Sequence, residues 1–186
     1  MDYRQQFIVE PGTKVKLDKI DASYTGEHQT REQALPETEQ HCQRLRDLQY
    51  LMYAEDKRSL LVCLQAMDAG GKDGTIGHVI GAMNPQGCSV HAFKPPSAEG
   101  AAHDFLWRGH AACPRRGRVA VFNRSHYEEV LIARVHKLVP TSVWSKRYDA
   151  IKQLRAPSGR ERHTPPEVLF AHHQGRTAGA LQAAPR

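Results

Sequence analysis

Apolar positions along this chain form short runs that alternate with stretches of three- and four-residue spacing. Three runs, Leu60–Leu64, Cys88–Phe93 and Val119–Phe122, are bounded by turn residues, and each predicts a buried β-strand. Apolar residues at helical spacing follow each run. Strands that alternate with helices are typical of βαβ units on a mostly parallel sheet, so the pattern predicts a three-layer α/β fold.

The same pattern divides the chain into three parts. Residues 1–35 are mixed and polar, which predicts an extended arm with one short strand near Lys14–Leu17. Residues 36–153 hold the alternating strands and helices, and their first helix is predicted to begin near Thr38 as N-cap. Residues 154–186 are rich in Ala, Pro, Arg, Gly and His without either period, which predicts a disordered tail.

Charge and cysteine content narrow the classes of partner and compartment. The 186 residues carry a net charge of +6, and the pI is near 9.3. This favours a polyanionic partner: nucleic acid, an acidic membrane face or a phosphate polymer, with plain solubility as the alternative explanation. The four cysteines form no C-x-x-C pair, which predicts reduced thiols. No signal peptide and no stretch of the ~20 apolar residues that span a bilayer is present, so we expect a cytoplasmic protein without membrane contact.

The segment between the first strand and the next helix has the order of a phosphate-binding loop. Gly70, Gly71 and Lys72 follow the apolar run, and such loops hold phosphate with backbone N–H groups, a helix N-terminus and a lysine. The loop departs twice from the G-x-x-x-x-G-K-[ST] pattern, because Ala66 holds the first Gly position and Asp73 the Ser/Thr position. The alternative is a tight strand-to-helix turn with a surface lysine.

Asp68 adds a carboxylate to this loop. A negative charge beside bound phosphate requires a cation between them, and Mg²⁺ takes one or two carboxylates together with water and phosphate oxygens. The alternative is an aspartate that bonds its own backbone in a turn.

The ends of the second and third predicted strands carry further polar residues. Ligands of open α/β sheets bind beyond the carboxyl ends of strands, where Lys94 and Asn123–Arg124 fall. Asn123 holds the place where phosphate-loop enzymes carry a carboxylate, and Glu128 restores that charge nearby. Arg124 suits bidentate phosphate binding. Helix capping is the alternative role for Asn123 and Ser125, and a solvated helix face is expected for Arg134, Lys146 and Arg147.

Two long segments of the chain resemble the polyphosphate kinase 2 family. They read LVCLQAMDAGGKDGTIGHVIGAMNPQGCSVHAFKPPSAEGAAHDFLWRGH and RGRVAVFNRSHYEEVLIARVH, and the likeness covers about residues 14–153. Asn123 followed by Glu128 and Glu129 resembles the subgroup called class III. The family's Asp-Ala-Ala-Gly-Lys is changed here only by Gly70. The resemblance implies a fold of the P-loop kinase type, incomplete at its C-terminus.

The resemblance also implies an activity and a set of site residues. The activity is phosphoryl transfer between inorganic polyphosphate and a nucleoside mono- or diphosphate, with Mg²⁺. Asp68, Asn123 and Glu128 would hold the metal and position the acceptor. Lys72 and Arg124 would neutralise the transferred group. The phosphate-binding residues would be Ala69, Gly70, Gly71, Asp73, Gly74, Lys94 and Arg108.

A non-catalytic protein that binds polyanions or nucleic acid is the competing interpretation. It predicts aromatic stacking platforms among the basic residues, and the candidates Trp107, Tyr127 and Trp144 lie mostly within helical patterns, so nucleic acid is not favoured. The preferred nucleotide and the oligomeric state, a homo-oligomer included, stay open.

After Gln153 the chain departs from the family's pattern. The family continues with Phe-Glu-Arg, then with a strand that begins Leu-Lys-Phe-Phe, and then with lid helices. Codons for those residues, read one base out of frame, give Leu154–Pro157 and Pro166–Leu169. We therefore hypothesise a frameshift near codon 154, with a natural low-complexity tail as the alternative. Loss of the lid predicts at most trace kinase activity for this product.

Overall fold

The computed structural model describes residues 7–9, 12–16, 19–21, 23–66, 69–155 and 167–169. Four strands and six α-helices alternate along this part of the chain. The α-helices are α1 (Arg31–Glu55), α2 (Lys72–His78), α3 (Ala98–Ala102), α4 (Trp107–Ala112), α5 (Glu128–Val135) and α6 (Thr141–Arg155). The strands are β1 (Leu60–Gln65), β2 (Cys88–Ala92), β3 (Val119–Asn123) and β4 (Glu167–Leu169). Two 3₁₀ turns, Ile80–Ala82 and Pro85–Gly87, lie between α2 and β2.

All the strand pairs in the sheet are parallel, and the strand order is β2-β3-β1-β4. Leu60 pairs with Val119 at one end of β1, and Leu64 pairs with Asn123 at the other. Cys88 also lies opposite Val119, so β2, β3 and β1 begin and end nearly level. The carboxyl ends of these strands therefore meet at one edge, where the predicted site residues follow them.

Side chains of the central strands point alternately to the two faces of the sheet and pack into two separate cores, one on each face. Leu64, Val119 and Val121 pack with the 3₁₀ turns and with residues of α1 and α2. Cys63 and Phe122 lie in the opposite core, which α4 covers. Helices on both faces of a parallel sheet confirm the predicted three-layer α/β class.

Helix α1 begins earlier than the sequence predicted. Thr30 is its N-cap, and the Thr30 hydroxyl accepts the backbone N–H of Gln33. Pro36 lies inside the helix rather than before it. Thr38 is not a cap, because its hydroxyl donates to the Ala34 carbonyl at 2.8 Å. The predicted division between residues 35 and 36 thus falls within α1.

A buried glutamine attaches α1 to the turn that precedes β2. The Gln49 side-chain amide donates to the Asn84 carbonyl at 3.0 Å, and its oxygen accepts the Asn84 N–H at 2.9 Å. Gln49 is 4% exposed. A Cβ on Gly87 would lie 2.2 Å from Gln49 Nε2, so this contact requires glycine at position 87.

Three residues of the predicted disordered tail, Glu167–Leu169, form strand β4, which the sequence did not predict. Glu167–Leu169 pairs with Cys63–Gln65 of β1. These residues belong to the segment that matches the frame-shifted family strand, and they pair with the side of β1 that does not face β3. The rest of the predicted tail after Arg155 lies outside the described residues. At the other end, the predicted strand near Lys14 is absent from the described residues 12–16, and Leu17 lies outside them.

The four cysteines lie within the described residues, and no disulfide joins them. Cys63 is 2% exposed within the core. Burial raises the pKa of the Cys88 and Cys113 thiols above its ordinary value. None of the helices that the structure describes combines the length and the apolar character needed to cross a bilayer.

Candidate functional site

The predicted phosphate loop brings its lysine inward rather than to the surface. Lys72 is the first residue of α2 and is 8% exposed. Its ammonium donates to the Ala66 carbonyl at 3.1 Å, so it reaches back over the end of β1. A lysine at this depth contradicts the alternative of a tight turn with a surface lysine. It places a positive charge beside the loop backbone, where a phosphate would lie.

The loop backbone takes the left-handed conformation at two residues. Ala69 has φ 59° and Gly71 has φ 87°, and Gly71 is the N-cap of α2. A Cβ on Gly71 would contact nothing within 4 Å, so backbone conformation rather than space favours glycine there. Within the described residues no side chain caps the first N–H groups of α2. Gly70 and Gly74 belong to the same loop and helix start, whereas Asp68 lies outside the described residues.

Asp73 and Asn123 join the start of α2 to the end of β3. The Asn123 side-chain amide donates to Asp73 Oδ1 at 2.8 Å. In the ordinary phosphate loop a hydroxyl stands at the helix position and a carboxylate at the strand end. Here the carboxylate is on the helix and the uncharged oxygen donor is on the strand. The capping role considered for Asn123 is therefore wrong in this structure.

A second polar pair joins the end of β1 to the start of α5. Gln65 Nε2 donates to Glu128 Oε1 at 2.6 Å. The backbone N–H of Glu128 also bonds the Ser125 carbonyl, and the Tyr127 N–H bonds the Ser125 hydroxyl. Ser125 thus closes a turn ahead of α5, but the N-cap of α5 is Tyr127 and no side chain of the described residues caps this helix, so the helix-capping role considered for Ser125 is wrong. Gln65 was not predicted as a site residue, since a glutamine that ends a strand carries no motif.

Arg124 lies in the turn between the end of β3 and the residues that lead into α5. It has φ 58°, and its N–H donates to the Leu64 carbonyl at 3.1 Å. A left-handed arginine is uncommon, because this backbone conformation is sterically disfavoured for residues other than glycine. This conformation sits directly after Asn123, at the edge where the carboxyl ends of β1 and β3 lie side by side.

Glu129 connects the elements on the other side of α5. Its carboxylate contacts Arg108 Nη2 at 2.8 Å and Arg147 Nη1 at 3.6 Å, and Arg147 also donates to its carbonyl. Arg108 Nη1 donates to the Lys94 carbonyl at 2.7 Å. Arg147 is 18% exposed, so the solvated face expected for it is wrong. The two arginines stack over the rings of Phe93 and Phe105 respectively.

The structure thus brings most of the predicted residues to one edge of the sheet. Lys72, Asp73, Asn123 and Glu128 lie at the ends of β1 and β3 or on the helices that follow. Arg108 lies beside Lys94 but is held by Glu129, and the Lys94 residue is exposed. Glu129 was missed because the sequence offers two adjacent glutamates and does not distinguish them.

The three aromatic residues considered for base stacking are packed against other side chains of the described part of the chain. Tyr127 and Trp144 are half-buried against the Leu106, Val130 and Ile151 core. Trp107 is 37% exposed, but its ring stacks on His103 with centroids 4.2 Å apart.

The fold and this edge define an α/β protein of the P-loop kinase class. The chain matches the family described as Polyphosphate kinase 2 (PPK2) over residues 28–160. It is 46% identical to the ADP-polyphosphate phosphotransferase of Rhodopseudomonas palustris, with 81% of this chain and 56% of that protein aligned. It is 45% identical to the AMP/ADP-polyphosphate phosphotransferase of Meiothermus ruber, with 80% and 56% aligned. The chain belongs to the polyphosphate kinase 2 family.

The solved structures agree with this assignment. Polyphosphate kinase 2 from Arthrobacter aurescens superposes with a TM-score of 0.84 at 34% sequence identity, over 96% of this chain and 64% of that one. The chain therefore spans a little more than half the length of the curated relatives that it matches, and somewhat less than two thirds of this solved structure.

Proposed function

We propose that this chain transfers a phosphoryl group between inorganic polyphosphate and a nucleoside mono- or diphosphate such as AMP or ADP. The observation that carries the proposal is the buried Lys72 beside the linked pair Asp73–Asn123 at the carboxyl edge of the sheet. The names of the two aligned relatives point to the same substrates.

Phosphoryl transfer depends mainly on positioning and on neutralising charge, and the proposed residues divide that work. The loop from Asp68 to Gly74 binds phosphate oxygens through backbone N–H groups and Lys72. Arg124 meets the transferred group from the β3 side. The Lys72 contact with the Ala66 carbonyl supports this role, because it keeps the ammonium within the loop before any anion arrives.

The residues at this edge fit a magnesium ion by their donor chemistry. No group of three or more His, Cys, Asp or Glu converges among the described residues, but Mg²⁺ requires only one or two carboxylates plus water and phosphate. Asp68, Asn123 and Glu128 would hold the ion, and the bond from Gln65 orients the Glu128 carboxylate. When bound, the ion would neutralise phosphate charge between donor and acceptor.

Lys94 and Arg108 line the proposed path of the phosphate chain. The exposed Lys94 residue follows β2 at the same edge of the sheet, and Arg108 bonds its backbone carbonyl. The Glu129 carboxylate that also binds Arg108 offsets part of its charge, so we assign the direct phosphate contact to Lys94 and the placement of that loop to Arg108.

The proposal is tested by incubating the 186-residue chain with ADP, long-chain polyphosphate and Mg²⁺ and measuring ATP. We expect ATP formation at no more than a trace rate, as the loss of the lid predicts, and we expect that rate to be lost in Lys72→Ala and kept in Lys146→Ala, which removes an exposed lysine on α6. Polyphosphate binding that depends on Lys72 without any turnover would instead support a non-catalytic polyanion-binding protein. Tight RNA binding without turnover would support the nucleic-acid alternative.

A further inference from the structure

A basic turn before β3 takes no part in the phosphoryl-transfer site. The Arg118 N–H bonds the Arg115 carbonyl at 3.2 Å, which closes the turn, and Gly117 supplies its left-handed residue with φ 71°. The Gly117 N–H donates to the Arg58 carbonyl at 2.7 Å, and the Leu60 N–H donates to the Arg118 carbonyl at 3.0 Å. The turn is therefore fixed against the residues that precede β1.

This attachment gathers five cationic residues into what we name the basic edge: Lys57, Arg58, Arg115, Arg116 and Arg118. Arg58 has a side chain that is 75% exposed and only a 3.6 Å ion pair with Glu55. Asp56 is the other acid nearby, and its carboxylate lies against Gly117. Neither residues 57–67 nor residues 105–127 contain an acidic residue, so positive charge predominates.

The basic edge lies at the opposite end of the sheet from the phosphate loop. It precedes Leu60 and Val119, the first residues of two parallel strands, whereas the loop follows Gln65. Six strand residues separate the two ends, which is about 20 Å. A short phosphate compound in the loop cannot reach the basic edge, but a long polyphosphate chain can occupy both.

We infer that the basic edge is a second polyphosphate-binding site. It binds a distant part of the same polyphosphate molecule whose end enters the phosphate loop. This rests on the proposed function for the identity of the polyanion. Two linked contacts raise affinity by effective concentration, so long chains bind more tightly than short ones.

The features of the basic edge favour polyphosphate over nucleic acid. Single-stranded nucleic acid gains much of its affinity from bases that stack on aromatic side chains. Tyr53 lies at this edge, and the Arg118 guanidinium covers a face of its ring at 5.0 Å from the centroid. Polyphosphate has no bases and needs only positive charge.

The test compares the binding of tripolyphosphate and long-chain polyphosphate by calorimetry at several salt concentrations. The triple variant Lys57→Gln, Arg58→Gln, Arg115→Gln keeps Arg118 on Tyr53 and is expected to fold. We expect it to bind the long chain about tenfold more weakly and to keep tripolyphosphate affinity within about twofold. The matched control Arg44→Gln, Lys146→Gln, Lys152→Gln has the same net charge as the triple variant. It should lose much less affinity for long-chain polyphosphate.

Several outcomes would overturn the inference. An equal loss of long-chain binding in the control would show a general charge effect. An unchanged affinity of the triple variant for long-chain polyphosphate would show that the basic edge does not bind it. Displacement of the polyphosphate by single-stranded RNA at equal phosphate concentration would also contradict the inference. Failure of the proposed function is a separate result, because it appears as the absence of Lys72-dependent ATP formation, whereas this inference is tested by binding alone.

Discussion

Asn123→Asp places a second carboxylate against Asp73 and tests whether this pair faces a metal ion. The change removes a hydrogen bond of 2.8 Å to a charged group, and such bonds contribute about 1.5–3 kcal/mol. Two carboxylates at contact distance repel by about 1 kcal/mol in a water-like environment and by more where water is excluded. Because Asp73 is exposed, the lower values apply, and we expect the free energy of unfolding to fall by about 2.5 kcal/mol.

The loss should depend on the divalent cation. A cation held at the proposed metal site by the carboxylate at position 123 also offsets its repulsion with Asp73 and stabilises only the folded state, so urea denaturation in millimolar Mg²⁺ should recover most of the loss measured with a chelator present. Asn123→Ala is the control, since it removes the hydrogen bond without adding charge. It should cost about half as much and respond little to Mg²⁺.

Two results would refute this reasoning. If Asn123→Asp has the same free energy of unfolding as the unmodified protein in the presence of a chelator, then Asp73 and residue 123 are not in contact. A loss that Mg²⁺ does not recover would mean that this edge of the sheet does not gather the ion, which would remove Asn123 from the proposed metal site.

Two further predictions concern contacts away from the phosphate loop. Gly87→Ala should lower the free energy of unfolding by about 2 kcal/mol in urea denaturation, because its methyl group displaces the Gln49 amide. The cost should nearly vanish in a Gln49→Ala background, and full additivity would contradict the contact. Glu129→Gln should cost about 2 kcal/mol by leaving two poorly exposed arginines without their counter-ion. The exposed Glu39→Gln is the control, and equal shifts in thermal melting would count against this role.

The central sheet could be predicted closely because its strands are apolar runs bounded by turn residues. Leu60–Leu64, Cys88–Phe93 and Val119–Phe122 each agree with the observed strand to within one residue. The start of α1 could not be predicted closely. Pro36 suggested that the helix begins after it, whereas the helix begins at Arg31 with Thr30 as its N-cap. Strand β4 has three residues in a segment without periodicity, so no local signal marked it.

The site could be predicted where residues follow strand ends in sequence. Lys72 and Asn123 belong to that class, and parallel strands carry such residues to one edge whatever the details of packing. Gln65 ends a strand but belongs to no motif, and Arg147 lies on α6 far from any strand end, so only their distant partners define their roles. Such pairings depend on how helices pack over the sheet, which the sequence pattern does not specify.

The strand order has a consequence for the time course of folding. Strands β1 and β2 are not neighbours, and each bonds to β3, whose first residue follows Leu60 by almost sixty positions. During synthesis both earlier strands must wait, with apolar side chains and unpaired backbone groups, until Val119–Asn123 has left the ribosome. Such distant pairing slows folding and lengthens exposure to aggregation. Expression at low temperature, or with chaperones that shield extended apolar segments, should therefore raise the yield of folded protein.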